Sequence, residues 1–325
     1  MKLSPLSDRI THLSASFWFL GVLAISGCQV WSPFQGKREV FPTVLPPSPT
    51  LQQVMSAVNS NSSQIYNFQT DHAVISSPDF PSLRATVVFE RPLRLRIRGG
   101  TGVTGLELDL GSNDELFWVW IRRDPQMYFC RHSDFAGSPI AREFPLEPRW
   151  LIEALGIVEL DPQGAHQGPE LIAPNRLRVV SWRESPHGRT TRLLTMDART
   201  AVVLEQEVYD ATGRLIAAAK AHRHRRDPLT GLIMAQVVSI QSPQFGLNLQ
   251  LDLGNLRINR PLEVAPDIWQ MPHYEGWAPV DLARIAFAPP TPGPSANTLD
   301  PTSFAAPGDE IPRLARPPRT RVPFR

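Results

Sequence analysis

Residues 83–98 read LRATVVFERPLRLRIR, two runs in which apolar and polar side chains alternate on either side of Arg91-Pro92. Such alternation is typical of a β-strand with one dry face, because successive side chains of a strand point to opposite sides of the sheet. Residues 106–110 and 247–253 repeat the pattern with leucine at every second position. These segments predict strands of an antiparallel sheet joined by hairpins.

The body around these strands extends over residues 50–285. A helix is predicted after Thr50, a residue type suited to the N-cap, and a short amphipathic helix is predicted to begin at Pro148. Residues 116–121, LFWVWI, are apolar on both faces and predict a central strand covered on both sides. We expect a mainly β fold of the α+β type. Its curled antiparallel sheet of about 11–12 strands would form an incomplete β-barrel, with two or three helices covering the concave face.

The start of the chain is typical of an export signal. An uncharged apolar run at residues 13–25 is too short to cross a hydrocarbon core of ~30 Å as a helix. It leads into Ile25-Ser26-Gly27-Cys28, which resembles the lipobox of bacterial lipoproteins. The resemblance implies a signal peptide over residues 1–27, cleavage before Cys28, and lipid attachment to its thiol, with the mature chain facing the periplasm. The alternative is an ordinary signal peptide that happens to contain a cysteine.

Both ends of the mature chain are rich in proline. Residues 28–49 are predicted to be a lipid-anchored tether, and residues 286–325 a disordered Pro/Arg-rich tail. Gln29 follows the cysteine, and by resemblance to the enterobacterial sorting pattern it favours the outer membrane over the inner. From Arg313 to Arg325 there are five arginines and no acid. This stretch is either a contact for an anionic envelope polymer or a solubilising end.

Charge and cysteine content exclude some classes of protein. The formal net charge is +2, so no global field favours nucleic acid. Lys2, Lys37 and Lys220 are the only lysines, a compositional bias that argues against interpreting single arginines as phosphate ligands. Once Cys28 is lipidated, Cys130 has no partner for an intramolecular disulfide, and the fold depends on its core alone.

Three groups of residues resemble chemical sites, but each is better explained structurally. The glycines of residues 100–105 fit a dinucleotide-binding pattern, yet a strand pattern follows where a helix is required, so a hairpin is predicted. His222 and His224 share a strand face without a third ligand nearby, which favours a solvated basic edge over a metal site. Cys130 with His132 is interpreted as a core cysteine rather than a reactive thiol. We expect no enzyme, cofactor or metal.

Several segments occur in an order that resembles a known superfamily. The sequence has FERPLRLR at residues 89–96, NDELFW at 113–118, an acidic turn, strand and Tyr-Asp-x-x-Gly over 197–213, and IWQMP at 268–272. Together they resemble the LolA/LolB superfamily of periplasmic lipoprotein carriers over residues 51–275. The resemblance implies an incomplete antiparallel β-barrel with a helical lid.

The resemblance also implies a non-covalent activity, namely binding of acyl chains of lipids or lipoproteins in an apolar cavity, with a transport or acceptor role in the cell envelope. Soluble carriers of the superfamily lack a lipid anchor, so this chain is nearer to the anchored acceptor type. The alternative is that the core is filled and the chain is an envelope interaction or sensor lipoprotein that acts through its surface and its Arg/Pro tail. The candidate cavity residues are Val87, Phe89, Leu95, Ile97, Leu108, Trp118, Trp120, Trp150 and Leu155.

Overall fold

The computed structural model describes residues 39–143 and 149–285. The chain divides into two units, Met1–Val40 and Phe41–Arg325, and the fold below belongs to the second. The predicted signal peptide, the lipobox with Cys28, and the tail with Arg313 to Arg325 lie outside the described residues, so these interpretations remain predictions. Within the described part of the chain, no helix is both long and apolar enough to cross a membrane.

The described residues form four α-helices, one 3-10 helix (Pro243–Phe245) and fifteen strands. The α-helices are α1 (Leu51–Ser62), α2 (His132–Phe135), α3 (Pro139–Glu143) and α4 (Arg149–Ala154). The strands are β1 (Asn67–Ser77), β2 (Phe80–Glu90), β3 (Arg94–Thr101), β4 (Gly105–Ser112), β5 (Leu116–Ile121), β6 (Gln126–Arg131), β7 (Ala165–Ala173), β8 (Arg176–Ser185), β9 (Gly188–Asp197), β10 (Val203–Tyr209), β11 (Leu215–Arg226), β12 (Ile233–Ser242), β13 (Leu247–Asp252), β14 (Arg257–Ile258) and β15 (Ala278–Asp281).

All the strands belong to one sheet that does not close on itself. Its order is β15-β6-β5-β4-β3-β2-β1-β13-β12-β11-β10-β9-β8-β7, and β14 pairs with β1. Neighbours are antiparallel except β15 and β6, which are parallel. The expected large curled antiparallel sheet is therefore present. The described residues contain more strands than predicted, partly because β14 and β15 have only two and four residues and are too short to show alternation.

Cross-strand partners define the two faces of the sheet. Val87, Ile97 and Leu110 are direct partners across β2, β3 and β4, and they point toward the side where the helices pack. Asp109 and Trp120 are partners across β4 and β5, and they point to the opposite side, because side chains alternate along each strand. We call the first side the concave face and the second the convex face.

Residues 116–121 form β5 as predicted, but not at the centre of the sheet. In the order of strands β5 is third from the β15 end. It is covered on both faces: Trp118 and Trp120 are buried on the convex face, while Phe117 packs against the ring of Phe135 in α2. The apolar character of both faces predicts this coverage, but it does not predict the position of the strand.

The N-cap of α1 is confirmed. Thr50 Oγ1 accepts a hydrogen bond from the Gln53 amide at 3.3 Å, and Gln53 Oε1 accepts one from the Thr50 amide at 2.8 Å. This reciprocal pair satisfies donors that the first turn of a helix leaves without partners. The helix buries Val54 and Val58 in a core cluster with residues of β8 and β9.

Part of the predicted tether contacts the body. Val44 and Leu45 both donate backbone hydrogen bonds to the Arg199 carbonyl, and Leu45 is buried in the same cluster as α1. Contact with the body therefore begins before residue 50, the predicted boundary of the domain.

Candidate functional site

The concave face of the sheet carries a continuous apolar cluster beneath α4. Phe68 and Phe89 stack in it at 5.3 Å between ring centroids, and side chains from β1 to β4, β12 and β13 surround them. Six of the nine predicted cavity residues lie in this cluster or pack against it: Val87, Phe89, Leu95, Ile97, Leu108 and Leu155. They share a face because they alternate in register along paired strands.

Trp118 and Trp120 are not part of this cluster, and their assignment to a common lining is wrong. They lie opposite Gly111 and Asp109, which point to the convex face. Trp120 stacks on Tyr274 with 4.2 Å between ring centroids. The sequence could not place these tryptophans, because a strand that is apolar on both faces gives no indication of which face is which; the register with β4 decides it.

The cover over the concave cluster is α4, the predicted helix near Pro148. Its Ile152 is buried in the cluster together with Leu155, which follows the helix, and Leu151 packs against them. Trp150 points toward another part of the same face, where it packs against Val208 and its neighbours on β11. Trp150 is therefore beside, and not within, the main predicted lining.

The two longer helices of the concave face are attached in different ways. Asn59 of α1 forms two hydrogen bonds with the backbone of Leu160, and Asn61 forms two with the backbone of Ile233, all at 2.7–2.9 Å. Among the described residues, α4 is joined to the sheet by one salt bridge, from Glu153 to Arg192 of β9 at 3.0 Å. Arg149 of α4 also pairs with Glu159 of the following loop at 3.3 Å, and the other contacts of α4 described above are apolar.

The Arg192 side chain is 15% exposed, and its hydrogen-bonding groups are only partly satisfied. Nη1 pairs with Glu153, but Nε and Nη2 are buried and have no hydrogen-bond partner among the described residues. Burial lowers the pKa of Arg192, Glu153 opposes that shift, and the nearby charges of Arg183 and Arg149 add to it. Unpaired N–H groups of this kind cost about 1–3 kcal/mol each when buried.

Within residues 39–143 and 149–285, two further buried polar atoms close to Arg192 have no hydrogen-bond partner. Gln206 is 2% exposed, and its Oε1 has no hydrogen bond. The indole Nε1 of Trp150 is also buried and unpaired. Val208, the direct cross-strand partner of Arg192, packs against Trp150 and is two residues from Gln206 on β10. No sequence pattern distinguishes this group, because Arg192 is one of many arginines.

A second buried arginine, Arg96, lies on the convex face. Its Nε and Nη2 donate to the two carboxylate oxygens of Asp109, each at 2.6 Å. Its Nη1 donates to the carbonyls of Ile268 and Gln270, each at 2.8 Å. The Tyr274 hydroxyl donates to Asp109 at 2.5 Å, and burial together with Asp109 raises the pKa of Tyr274. These contacts hold residues 261–277, which we call the C-terminal strap, on the convex face.

The structure places the three rejected site patterns as follows. The glycines of residues 100–105 lie at the hairpin between β3 and β4, as predicted. Cys130 is fully buried, and burial raises its pKa to about 11, in keeping with a core cysteine. His222 and His224 lie in the part of β11 that pairs with β12 but extends past its pairing with β10, which ends at Lys220; His222 is exposed, and His224 bonds to the Val203 carbonyl. Within the described ranges, no three His, Cys, Asp or Glu side chains are grouped to hold a metal ion.

Several solved structures of other proteins are similar to this chain. The chain is similar to proteins of the LolA superfamily. One such protein, from Nitrosomonas europaea, is 14% identical, with 66% of this chain and 96% of that chain covered and a TM-score of 0.40. This is the superfamily that the order of segments in the sequence also resembles.

Two other solved structures match this chain with similar sequence identity, coverage and TM-score. A DUF1329 family protein from Desulfovibrio piger is 13% identical, with 68% of this chain and 97% of that chain covered and a TM-score of 0.45. An outer membrane lipoprotein-sorting protein domain from Vibrio parahaemolyticus is 12% identical, with 67% and 97% covered and a TM-score of 0.46. No protein-family model and no curated protein matches the sequence. At such low identities and TM-scores, these likenesses carry no conclusion about function.

Proposed function

We propose that this chain binds acyl chains of lipids or lipoproteins non-covalently on the concave face, in the space that the apolar side chains of Leu151, Ile152 and Leu155 occupy here. The observation that carries the proposal is the contrast between the helices: α1 is fixed by paired asparagine bonds, whereas α4 rests on an apolar surface with one salt bridge to the sheet. A helix held mainly by apolar contact can be replaced by another apolar group at little cost.

The free energies involved are of comparable size. Burial of a Leu or Ile side chain contributes about 1.5–3 kcal/mol, so Leu151, Ile152 and Leu155 together contribute about 5–9 kcal/mol. A sixteen-carbon chain, at about 0.8 kcal/mol per methylene, contributes on the order of 10 kcal/mol before entropic costs. Exchange of α4 for an acyl chain is therefore close to balanced, as a reversible carrier or acceptor requires.

Native mass spectrometry tests this proposal on the full chain carrying Cys28→Ser, so that no acyl group is attached to the protein itself. We expect co-purified or added acyl lipid at about one molecule per chain. A protein that is empty and also ignores added lipid would contradict acyl binding.

The same proposal places the chain on a membrane through lipid on Cys28, facing the periplasm and on the outer membrane rather than the inner. Its support is the lipobox pattern of residues 25–28. Membrane fractionation of wild type and Cys28→Ser is the test. We expect the wild type in the outer-membrane fraction and the variant released; equal retention of both would contradict a Cys28 anchor.

A second candidate function is an envelope interaction or sensor lipoprotein with a filled core. The observation that favours it is the burial of the concave cluster, in which Val87 and Leu155 are 0% exposed and Phe89 is 1% exposed. In that case the partner, such as an anionic envelope polymer, would be bound by the surface or by the tail that contains Arg313 to Arg325. Deletion of residues 286–325 would then abolish retention in a cell-wall pull-down, and unchanged retention would exclude the tail.

A further inference from the structure

The unsatisfied polar group on the concave face adjoins the proposed acyl site. Arg192 and Gln206 point to the concave face, since Gln206 is the cross-strand partner of Leu194, a buried residue of the cluster beneath α1. Glu153 and Trp150 reach the same place from α4, whose neighbouring residues Leu151 and Ile152 cover the apolar cluster. The concave face thus has an apolar part and, beside it, a buried polar part.

The chemistry of the polar part favours an anion. The Nε and Nη2 edge of a guanidinium presents two parallel N–H donors that match two oxygens of a carboxylate or phosphate. In Arg192 this edge is the one without a partner, since Glu153 binds Nη1. The indole N–H of Trp150, which packs against Val208, the cross-strand partner of Arg192, is a further unpaired donor among the described residues.

The local charges point the same way. Arg149 and Arg183 both act on Arg192 electrostatically, and Glu153 is the acid that bonds to it. Arg149 also pairs with Glu159 at 3.3 Å, and Glu159 is shared with Arg91. Arg192 is therefore under the influence of two other arginines as well as of Glu153, and an added anion would reduce the repulsion among the arginines.

We propose that Arg192, assisted by the Trp150 indole N–H, binds the anionic head group of an amphiphile whose acyl chain lies on the apolar part of the concave face. This inference rests on the proposed function and specifies its ligand as a lipid with a carboxylate or phosphate group. Gln206 Oε1, the remaining unpaired atom, accepts a hydrogen bond from a hydroxyl of the same head group.

Calorimetric titration with ligands of one chain length tests the inference. The ligands are dodecanoate, dodecyl phosphate, uncharged dodecanol and inorganic phosphate, each added to the full chain carrying Cys28→Ser. We expect the two anionic amphiphiles to bind at least about tenfold more tightly than dodecanol, which is the size of one charge-assisted bidentate contact. The stronger of the two identifies carboxylate or phosphate as the head group.

Arg192→Lys separates recognition from folding, because lysine keeps the charge opposite Glu153 but lacks the two-pronged edge. We expect it to reduce the advantage of the anions over dodecanol to about threefold or less. Trp150→Phe removes only the N–H donor, so we expect a smaller loss for the same ligands. Arg94→Lys is the matched control, since Arg94 is an exposed arginine paired with Glu90 and Asp114, and it should keep the full selectivity.

The outcomes distinguish the two proposals. If dodecanol and the anions all fail to bind, acyl binding is wrong and the head-group site is wrong with it. If dodecanol binds as tightly as the anions, or if Arg192→Lys and Trp150→Phe both keep the selectivity, only the head-group site is wrong. If inorganic phosphate alone binds as tightly as dodecyl phosphate in an Arg192-dependent way, the site takes a free anion and the lipid assignment is overturned.

Discussion

Two arginines lie on opposite faces of this sheet with 6% (Arg96) and 15% (Arg192) of their side chains exposed, and their N–H groups are satisfied to very different degrees. Arg96 on the convex face uses Nε, Nη1 and Nη2, binding both oxygens of Asp109 and two backbone carbonyls of the C-terminal strap. Arg192 on the concave face uses only Nη1, which binds Glu153. A buried charge is costly unless it is paired and hydrogen-bonded. The first arginine therefore has a structural role, and the second retains capacity to bind a ligand.

The surroundings of the two arginines strengthen this distinction. Arg96 lies 4.8 Å from the ring centre of Trp118, and Tyr274 adds a hydrogen bond to Asp109, so the site is closed by aromatic and backbone groups. Arg192 lies beneath α4, a helix of six residues. On the convex face the C-terminal strap is held by hydrogen bonds to Arg96. On the concave face α4 is held mainly by apolar contacts, so α4 is the element that can move away from the sheet.

The largest expected effect comes from breaking the convex ion pair. Asp109→Ala leaves Arg96 buried without its acid, so we expect the free energy of unfolding to fall by about 3–5 kcal/mol in chemical denaturation. Asp114→Ala is the control, because Asp114 pairs with Arg94 at a half-exposed position and should cost about 1 kcal/mol or less. Equal losses in the two variants would mean that the convex site contributes no more than a surface pair.

Replacing each pair by apolar residues compares the two arginines directly. Arg96→Met with Asp109→Leu leaves the Ile268 and Gln270 carbonyls and the Tyr274 hydroxyl without partners, so we expect a loss of about 2–4 kcal/mol. Arg192→Met with Glu153→Leu removes a pair that is already under-satisfied. We expect its stability to change by about 1 kcal/mol or to increase.

Thermal and chemical unfolding of both double variants measure this difference. If the free energy of unfolding falls as much for the concave pair as for the convex pair, Arg192 has a structural role like that of Arg96, and the two sites do not differ in function.

Tyr274→Phe tests a single bond of the convex site. Loss of the hydroxyl bond to the Asp109 carboxylate should cost about 1.5–3 kcal/mol, the usual range for a hydrogen bond to a charged group. Because the pKa of Tyr274 is raised in the folded state, the unfolded chain loses this proton first as pH rises.

The contribution is therefore complete below the ordinary tyrosine pKa of 10.0 and declines above it. The stability difference between wild type and Tyr274→Phe should narrow when unfolding is measured above pH ~10. A constant difference across that range would contradict the proposed bond.

Alternation along single strands predicts much of this fold. It identifies Val87, Phe89, Leu95 and Ile97 as one face, and all four lie in the concave cluster. Alternation does not predict the face of a residue when that face depends on the register between strands. Trp118, which lies over Gly111, is an example. Alternation also fails at the β3–β4 pairing, where a register shift between Gly99 and Gly100 accompanies packing of Leu106 with the convex aromatic cluster.

The polar part of the concave face is still harder to predict from the sequence. Arg192 and Glu153 meet only because β9 and α4 are brought together by the whole sheet. Arg192 has two side-chain nitrogens without a hydrogen-bond partner among the described residues. No sequence pattern indicates that a buried N–H group will lack a partner. The convex strap shows the same limitation: the Ile-Trp-Gln-Met-Pro stretch at residues 268–272 is recognisable, but its carbonyl bonds to Arg96 are not.

The smallest expected effect concerns the looseness of α4 itself. Leu151→Ala removes a partly buried side chain between α4 and the concave cluster, which should cost about 1–2 kcal/mol of stability. If α4 and the acyl chain occupy the same space, this change favours the ligand, and we expect the affinity for dodecanol to rise about two- to fivefold. Leu116→Ala, which removes a partly buried leucine from the convex cluster, should lower stability similarly and leave the affinity unchanged. Calorimetric titration of both variants compares them, and equal affinities would mean that α4 does not compete with the acyl chain. In that case the concave face is a core like any other, and the difference between the two arginines would have to be explained by something other than a ligand.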